Sequence, residues 1–454
     1  MMLEKEKTFA LCTLGCKVNQ EEGAAMAALL SAAGYRQVAF SAIADIYIIN
    51  TCTVTHVADR KCRAMIRRAV KTNAEALVVV AGCYAQISGQ EAAAIEGVDL
   101  VIGVDERASL LSLIEHCRQR QKPFLAVGDI SKADKFMPIG DGAASQNRAR
   151  AYLKIEDGCD QFCHYCLVPY ARGPVRSLPL PEVVEQAQAL LAADHKEIVL
   201  TGIHIGAYGQ DLPGIDLQLL LQQLLALPGD WRLRLGSLEP QQIDERLIKL
   251  VAGNDKICKH LHIPLQAGSD KILAAMGRHY DTAFYAELLQ RLRASVPDIA
   301  ITSDVMVGYP GESEKDFADS YDFCRNMAFA GLHIFPYSPR QQTVAATLSQ
   351  QVPAAIKENR AACLAALAQD LASAYGSAFV GRKLHLLLEQ KVKIDEREYW
   401  QGHSENYLPL YLPCGRQAKG SIVPVIMTVP YFPLAGEKKK KNGFFCREAG
   451  IDRF

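Results

Sequence analysis

Cys159, Cys163 and Cys166 form a C-x3-C-x2-C run, Cys159-Asp-Gln-Phe-Cys163-His-Tyr-Cys166, directly after a short apolar stretch, Tyr152 to Ile155, that reads as a strand. Three thiolates at this spacing can hold three irons of a four-iron cluster and leave the fourth iron without a protein ligand. An open metal position is what a catalytic site needs and a structural site avoids, a contrast best described for zinc. The other reading of the same residues is a Cys3His zinc site that recruits His164.

A second, dispersed set of cysteines precedes the triplet. Thr8 to Leu11 leads to Cys16, Asp45 to Ile49 leads to Cys52, and Ala76 to Val80 leads to Cys83. Each cysteine lies just past a β-branched, apolar run of the length of a buried parallel strand. Helical patterns, Gln20 to Ala33 and Val57 to Thr72, separate the runs. Right-handed βαβ units put the carboxyl ends of such strands on one edge of a sheet, so residues 36 and 31 apart in sequence converge at the crevice where open α/β sheets bind ligands. Cys12, Cys62, Cys117, Cys258, Cys324 and Cys363 lack this recurring position and read as small buried hydrophobes.

At 454 residues the chain exceeds one ordinary core and calls for two or three domains. Apolar content of 49% and charged content of 22% describe a globular protein. No apolar run reaches the length of a membrane span, and the first residues carry no signal-peptide pattern. Fourteen cysteines in that setting favour thiolate chemistry over disulfides, and hence a cytoplasmic location. A net charge of zero gives no global signature of nucleic-acid binding. The distribution is uneven: residues from Gly376 onward hold 13 Lys/Arg against 8 Asp/Glu. Arg60, Arg63, Arg67 and Lys71 also share one helix face just after Cys52, suited either to solvent or to phosphate contacts.

The pattern divides the chain into an α/β domain (1–120), a polar linker (121–150), a second α/β region (151–375), a C-terminal β unit (376–441) and a tail (442–454). In the second region, strand patterns at 151–156, 196–201, 231–237, 259–264, 299–306 and 330–335 alternate with helices. Six such units predict a parallel sheet curved as a partial (β/α)6 barrel, two units short of a closed one. Polar and glycine-rich segments follow each strand, so they should line one cavity at the carboxyl edge. The C-terminal unit reads as a small antiparallel barrel of the oligonucleotide-binding type, with Arg382, Lys383, Tyr407, Tyr411 and Lys419 as candidate RNA contacts. Lys438 to Lys441 reads as a disordered basic tail.

The order of these parts resembles the methylthiotransferases of the radical S-adenosylmethionine class, over essentially the whole chain. Thr13-Leu-Gly-Cys16-Lys-Val-Asn19-Gln20, Asn50-Thr-Cys52-Thr-Val-Thr55 and Ala81-Gly-Cys83-Tyr84 are similar to the segments that hold an auxiliary cluster in that family. Gly158-Cys159 through Cys166-Leu-Val-Pro169-Tyr-Ala-Arg172-Gly173-Pro-Val-Arg176-Ser177 is similar to its radical segment, and the C-terminal unit to its TRAM barrel. The motifs are most like those of the branch acting on tRNA that carries N6-threonylcarbamoyladenosine at position 37. The sister branch for isopentenyladenosine and a ribosomal-protein aspartate are the alternatives, and a zinc-stapled RNA-binding protein is the alternative outside the enzymes. One departure is visible: Gln342-Thr343 stands where the family usually has Gly-Thr, and Gln tolerates positive φ poorly.

The resemblance implies two [4Fe-4S] clusters, one on Cys159, Cys163 and Cys166 with S-adenosylmethionine on its open iron, the other on Cys16, Cys52 and Cys83. The first would reduce the bound cofactor and so generate a 5′-deoxyadenosyl radical that removes the inert hydrogen at adenine C2, and the second would present a methylated sulfur. Gly202, Glu239, Gln266, Gly308 and Gly311 are candidate cofactor contacts, with Arg176 a partner for its carboxylate. Implied partners are the tRNA anticodon arm and a reductant such as flavodoxin or ferredoxin. The sulfur donor is not implied by any residue.

Overall fold

In the computed structural model, residues 7–118, 123–139, 148–431 and 442–449 are described. The apolar runs of the first part become six parallel strands: β1 (Thr8–Thr13), β2 (Arg36–Val38), β3 (Ile46–Thr51), β4 (Leu77–Gly82), β5 (Leu100–Ile102) and β6 (Phe124–Ala126). They pair in the order β2-β1-β3-β4-β5-β6. β3 is buried along its whole length, its Ile-Tyr-Ile-Ile run continuing into the buried polar pair Asn50 and Thr51. The strand order switches direction between β1 and β3, so the carboxyl ends of those strands flank the crevice where doubly wound sheets hold ligands. β6 lies inside the stretch expected to be linker. It is three residues long and too short to announce itself as a strand.

The second part contributes β7 (Arg150–Lys154), the short antiparallel pair β8 (Glu156–Asp157) and β9 (Arg176–Ser177), then β10 (Glu197–Thr201), β11 (Arg232–Arg234), β12 (His260–His262), β13 (Ala300–Val307) and β14 (Gly331–Pro336). β11-β10-β7 and β12-β13-β14 form two parallel sheets, and bridges at Leu233–Ile257 and Ser237–His262 join them into one six-stranded arc. This is the expected partial barrel, and its largest hydrophobic cluster fills the space between strands and surrounding helices.

After the 24-residue helix Ala354–Ser377 comes a closed barrel of β15 (Lys383–Ile394), β16 (Arg397–His403), β17 (Pro409–Pro413), β18 (Ile422–Tyr431) and β19 (Gly443–Glu448). Two expectations need correction. Residues 443–448 are a barrel strand rather than tail, paired to both β17 and β18 with Phe444 and Cys446 buried. The barrel is also mixed, because β17 and β19 run parallel. Lys438 to Lys441 lies outside the described residues.

Buried ion pairs lock this barrel onto the arc. Glu197 on β10 holds Arg232 at 2.6 Å and Arg234 at 2.7 Å, and those guanidiniums donate onward to barrel carbonyls, His385 at 2.7 Å, His403 at 2.9 Å and Ser404 at 3.0 Å. Tyr407, at φ 65°, inserts between His260 and His403, stacked 4.5 and 4.7 Å from their rings, with Arg150 and Arg234 over its face. It thus touches side chains of β7, β11 and β12 at once, which identifies the concave side of the arc. Each such contact contributes about 0.5–1.5 kcal/mol.

Candidate active site

The first cysteine set gathers at the sheet crevice. Cys16 begins the helix Lys17–Ala32, Cys52 follows β3, and Cys83 opens the helix Cys83–Ile87. Two glycines make the approach possible. A Cβ on Gly15 (φ +105°) would stand 2.7 Å from the Cys52 Cβ, and one on Gly82 (φ +93°) would stand 2.6 Å from Asn50 Oδ1. Burial raises the Cys52 thiol to about 12, with Cys83 and Cys16 adding to it by their own charge. The same Gly15 Cβ would stand 3.1 Å from Cys52 Sγ, so the Cys16 segment packs directly on Cys52.

The second set lies on the loop bracketed by β8 and β9. The Cys159 amide donates to the Gly173 carbonyl at 3.0 Å, and the Val168 amide donates to Cys166 Sγ at 3.4 Å. Burial pushes Cys159 and Cys166 upward, the latter to about 12, and their neighbours in the triplet push the same way. Raised thiols deprotonate when a metal replaces the proton.

The donor sets fit clusters better than a single ion. A tetrahedral zinc with ~2.3 Å bonds brings its sulfurs within ~3.8 Å of one another. Among the described residues, the one trio of His, Cys, Asp or Glu ligand atoms mutually within 4.8 Å is His262, Asp304 and His333. Neither cysteine triplet is among the described groups whose ligand atoms lie mutually within 4.8 Å. His164 is otherwise engaged, its Nδ1 lying 2.8 Å from the Ala275 carbonyl. Room for a cofactor is marked by two buried acceptors without a partner, Glu156 Oε1 and Gln266 Oε1. Burial drives the Glu156 carboxyl well above its ordinary range, against the lowering effect of the His204 amide that donates to it.

Sequence reasoning missed the residues that tie the two sets together. Arg172 donates from Nε to Cys83 Sγ at 3.2 Å, from Nη1 to Glu22 at 2.6 Å and Asp157 at 3.1 Å, and from Nη2 to Asn19 at 2.6 Å. Lys154 joins the same hub, 2.7 Å from Glu22 and 2.6 Å from Asp157, and Arg107 pairs with Glu22 as well. Burial alone would raise the two carboxyls, but the surrounding cations prevail, holding Glu22 well below its usual range and Asp157 at about 2. Arg278 repeats the motif at the other triplet: Nη1 donates to Cys163 Sγ at 3.2 Å, and Nη2 pairs with Glu239. The signal for Arg172 was its place within the radical segment; Arg278 carried none.

The expected cofactor contacts separate. Glu239 reaches the second triplet through Arg278, and Gln266 (φ 68°) is buried with its free acceptor. Gly202 is required by Glu156, whose Oε2 would stand 2.6 Å from an added Cβ. Gly308 and Gly311 face chain instead: a Cβ on Gly308 would meet the Lys357 side chain at 2.1 Å, and Gly311 donates to the Gln350 carbonyl at 2.8 Å. Arg176 is buried, and its Nε has no partner among the described residues. It donates to the carbonyls of Arg172 at 2.9 Å and Pro174 at 3.1 Å and reaches Asp105 of the first domain at 3.4 Å.

Of the RNA candidates, Arg60, Arg67 and Lys71 are exposed and Arg63 half-buried on the helix His56–Thr72, whose Cys62, Ile66 and Ala69 are buried. A cleft of about 490 Å³ lies between Arg63 and His56 of this helix and Arg340 to Gln342 of the second domain. Lys383 and Lys419 are exposed on the barrel. Three others are spent elsewhere: Tyr407 is the plug described above, Tyr411 is fully buried, and Arg382 pairs with Asp298 at the domain junction.

Comparison with known proteins places this geometry in context. A family model described as Uncharacterized protein family UPF0004 matches residues 8–103, and the Radical SAM superfamily model matches 153–324. The threonylcarbamoyladenosine tRNA methylthiotransferase MtaB of Bacillus subtilis is 41% identical, over 94% of this chain and 95% of its own. MtaB of Aquifex aeolicus is 37% identical over 87% and 96%. The tRNA-2-methylthio-N(6)-dimethylallyladenosine synthase of Moorella thermoacetica is 34% identical over 94% and 97%. Among solved structures, the radical S-adenosylmethionine methyltransferase TsrM of Kitasatospora setae superposes with a TM-score of 0.56 at 14% identity, covering 75% of this chain and 77% of that one, a likeness of fold alone. No helix among the described residues is long and apolar enough to cross a membrane.

Proposed function

The chain belongs to the radical S-adenosylmethionine methylthiotransferase family, and we propose that it adds a methylthio group to C2 of N6-threonylcarbamoyladenosine at position 37 of tRNA, beside the anticodon. The observation that carries this reading is the Arg172 hub. One guanidinium bonds Asp157, two residues before Cys159, and also Cys83 of the other triplet, so a single side chain joins the segments that carry the two cysteine sets. Two centres around one substrate suit a reaction that must both remove a hydrogen and deliver a sulfur.

When bound, the cluster and S-adenosylmethionine supply the radical chemistry that an adenine C2–H bond demands. The protein's own contribution is position and exclusion of water. Cys159, Cys163 and Cys166 would hold the reducing cluster, with Glu156 near Cys159 and carrying a buried, unpartnered oxygen. Cys16, Cys52 and Cys83 would hold a second [4Fe-4S] cluster, set in place by Gly15, Gly82 and Arg172. The exposed cations of the helix His56–Thr72 and of the barrel, Lys383 and Lys419, would take the phosphates of the anticodon arm. A splayed loop base enters such a cavity more readily than a paired one. The same reading takes a flavodoxin or ferredoxin as reductant and the cytoplasm as location.

Mass spectrometry of tRNA nucleosides from cells lacking the gene tests this directly. Threonylcarbamoyladenosine should accumulate without its methylthio derivative. Loss of methylthio-isopentenyladenosine instead would move the enzyme to the sister branch, and unchanged tRNA with an altered ribosomal-protein mass would remove it from RNA modification.

A further inference from the structure

His262, Asp304 and His333 stand on three adjacent strands, β12, β13 and β14, with one ligand atom of each within 4.8 Å of the others. Register explains the meeting: His262 pairs with Thr302, Asp304 is two residues further along the same face, and His333 pairs with Asp304. His262 Nδ1 lies 3.0 Å from Thr302 Oγ1, which turns Nε2 toward Asp304 Oδ2 at 3.3 Å. The three share the concave face of the arc with His260, whose ring stacks on Tyr407. They are not a core feature, since His262 and Asp304 are only half-buried and His333 is exposed.

Two further facts link the trio and its concave face to neighbouring segments. The Gln266 amide donates to the Asp304 carbonyl at 2.9 Å, so the central strand of the trio is bonded to a residue whose own side-chain acceptor is buried without a partner. On the other side Lys17, next to Cys16, acts electrostatically on His260 and Tyr407. A cavity of about 450 Å³ adjoins the trio, walled by Thr302, His333 and Tyr407 and by Ala365, Ala368 and Ala372 of the long helix. That volume falls within the ~300–1,000 Å³ of small-ligand sites.

We propose that His262, Asp304 and His333 form the polar end of the substrate pocket and read the N6 substituent, the imidazole of His333 donating to its carboxylate and Asp304 accepting from its hydroxyl and urea N–H. This rests on the substrate proposed above and names the residues that select it. A threonylcarbamoyl group carries one anionic acceptor and several neutral donors within a few bonds, and the trio offers the complement. An isopentenyl group offers neither, and would desolvate the trio's polar atoms without giving them hydrogen bonds in return.

The test uses anaerobically reconstituted holoenzyme and synthetic anticodon stem-loops whose A37 carries threonylcarbamoyl or its uncharged methyl ester. Fluorescence anisotropy should show wild type preferring the acid by on the order of tenfold or more, the scale of a hydrogen bond to a charged group. His333→Ala should bring the ratio near one, and His333→Gln, which keeps a donor, should restore part of it. A ratio unchanged in both variants, with turnover of the threonylcarbamoyl substrate intact in wild type, overturns the pocket assignment but not the function. A wild type that turns over only isopentenyl stem-loops overturns both. One equivalent of zinc or manganese per chain, lost in His333→Ala, makes the trio a metal site and also overturns it.

Discussion

Arg172 Nε lies 3.2 Å from Cys83 Sγ, although the two residues belong to different domains. The same side chain neutralises Glu22 and Asp157, both buried. Arg172→Ala therefore removes a donor to a thiolate and leaves buried carboxylates undercompensated, a loss of about 3–5 kcal/mol. Arg172→Lys keeps the charge but not the fork that reaches both domains at once. We expect the lysine variant to fold with reduced iron at the Cys16, Cys52 and Cys83 site while still cleaving S-adenosylmethionine. Iron quantitation and 5′-deoxyadenosine yield check this together, and full iron in that variant would show that the contact does not support the site.

Separate ligation by the two triplets is tested by replacing Cys159, Cys163 and Cys166 with Ala. Each triplet ligates one cluster in our reading, so iron should fall by roughly half and cofactor cleavage should cease. The matching triple variant at Cys16, Cys52 and Cys83 should lose a similar share of iron and retain cleavage. Iron per chain unchanged by the first variant would refute the assignment.

The ends of the parallel strands were legible because β-branched runs such as Ile46–Thr51 encode buried strands, and topology alone then aligns the residues just past them. Cys16, Cys52 and Cys83 could be grouped from the sequence for that reason. The barrel was less legible. β16 (Arg397–His403) is buried over only part of its length and begins among charges, although it pairs with its neighbours β15 and β17, and β19 is a short strand that pairs with β17 across the intervening β18 in sequence. Tyr407 reads as an exposed contact because it follows Ser404, Glu405 and Asn406, and its burial depends on packing against a second domain. Arg278 was invisible for a different reason: its target, Cys163, lies in the same domain but 115 residues away.

Gln342 retains a backbone of φ 76° at the position where the family usually has glycine. An L-residue held in the left-handed region costs roughly 1–2 kcal/mol. Gln342→Gly should relieve that strain, partly offset by the ~0.5–1 kcal/mol of extra freedom glycine gains on unfolding. We expect a net stabilisation of up to about 1 kcal/mol, read as a higher urea midpoint with unchanged slope. A lower midpoint would mean that the Gln342 side chain, on the wall of the cleft, contributes more than its backbone costs.

Glu197 gives the docking of the barrel a pH dependence. Burial works to raise its carboxyl, but Arg234 and Arg232 outweigh burial and hold it far below its ordinary value of 4.5. A depressed folded value means that the group stabilises fully above about 4.5, and that the gain is lost progressively as pH falls further. Glu197→Gln leaves both guanidiniums short of a counter-charge and should cost about 3–5 kcal/mol at neutral pH. Between pH 7 and pH 5 the gap between wild type and variant should hold steady, and it should narrow by about pH 3, below the unfolded carboxyl's own titration. Urea unfolding at the three values measures it, and a gap equally wide at the lowest would show that the carboxylate of Glu197 is not what fastens Arg232 and Arg234 beneath the barrel.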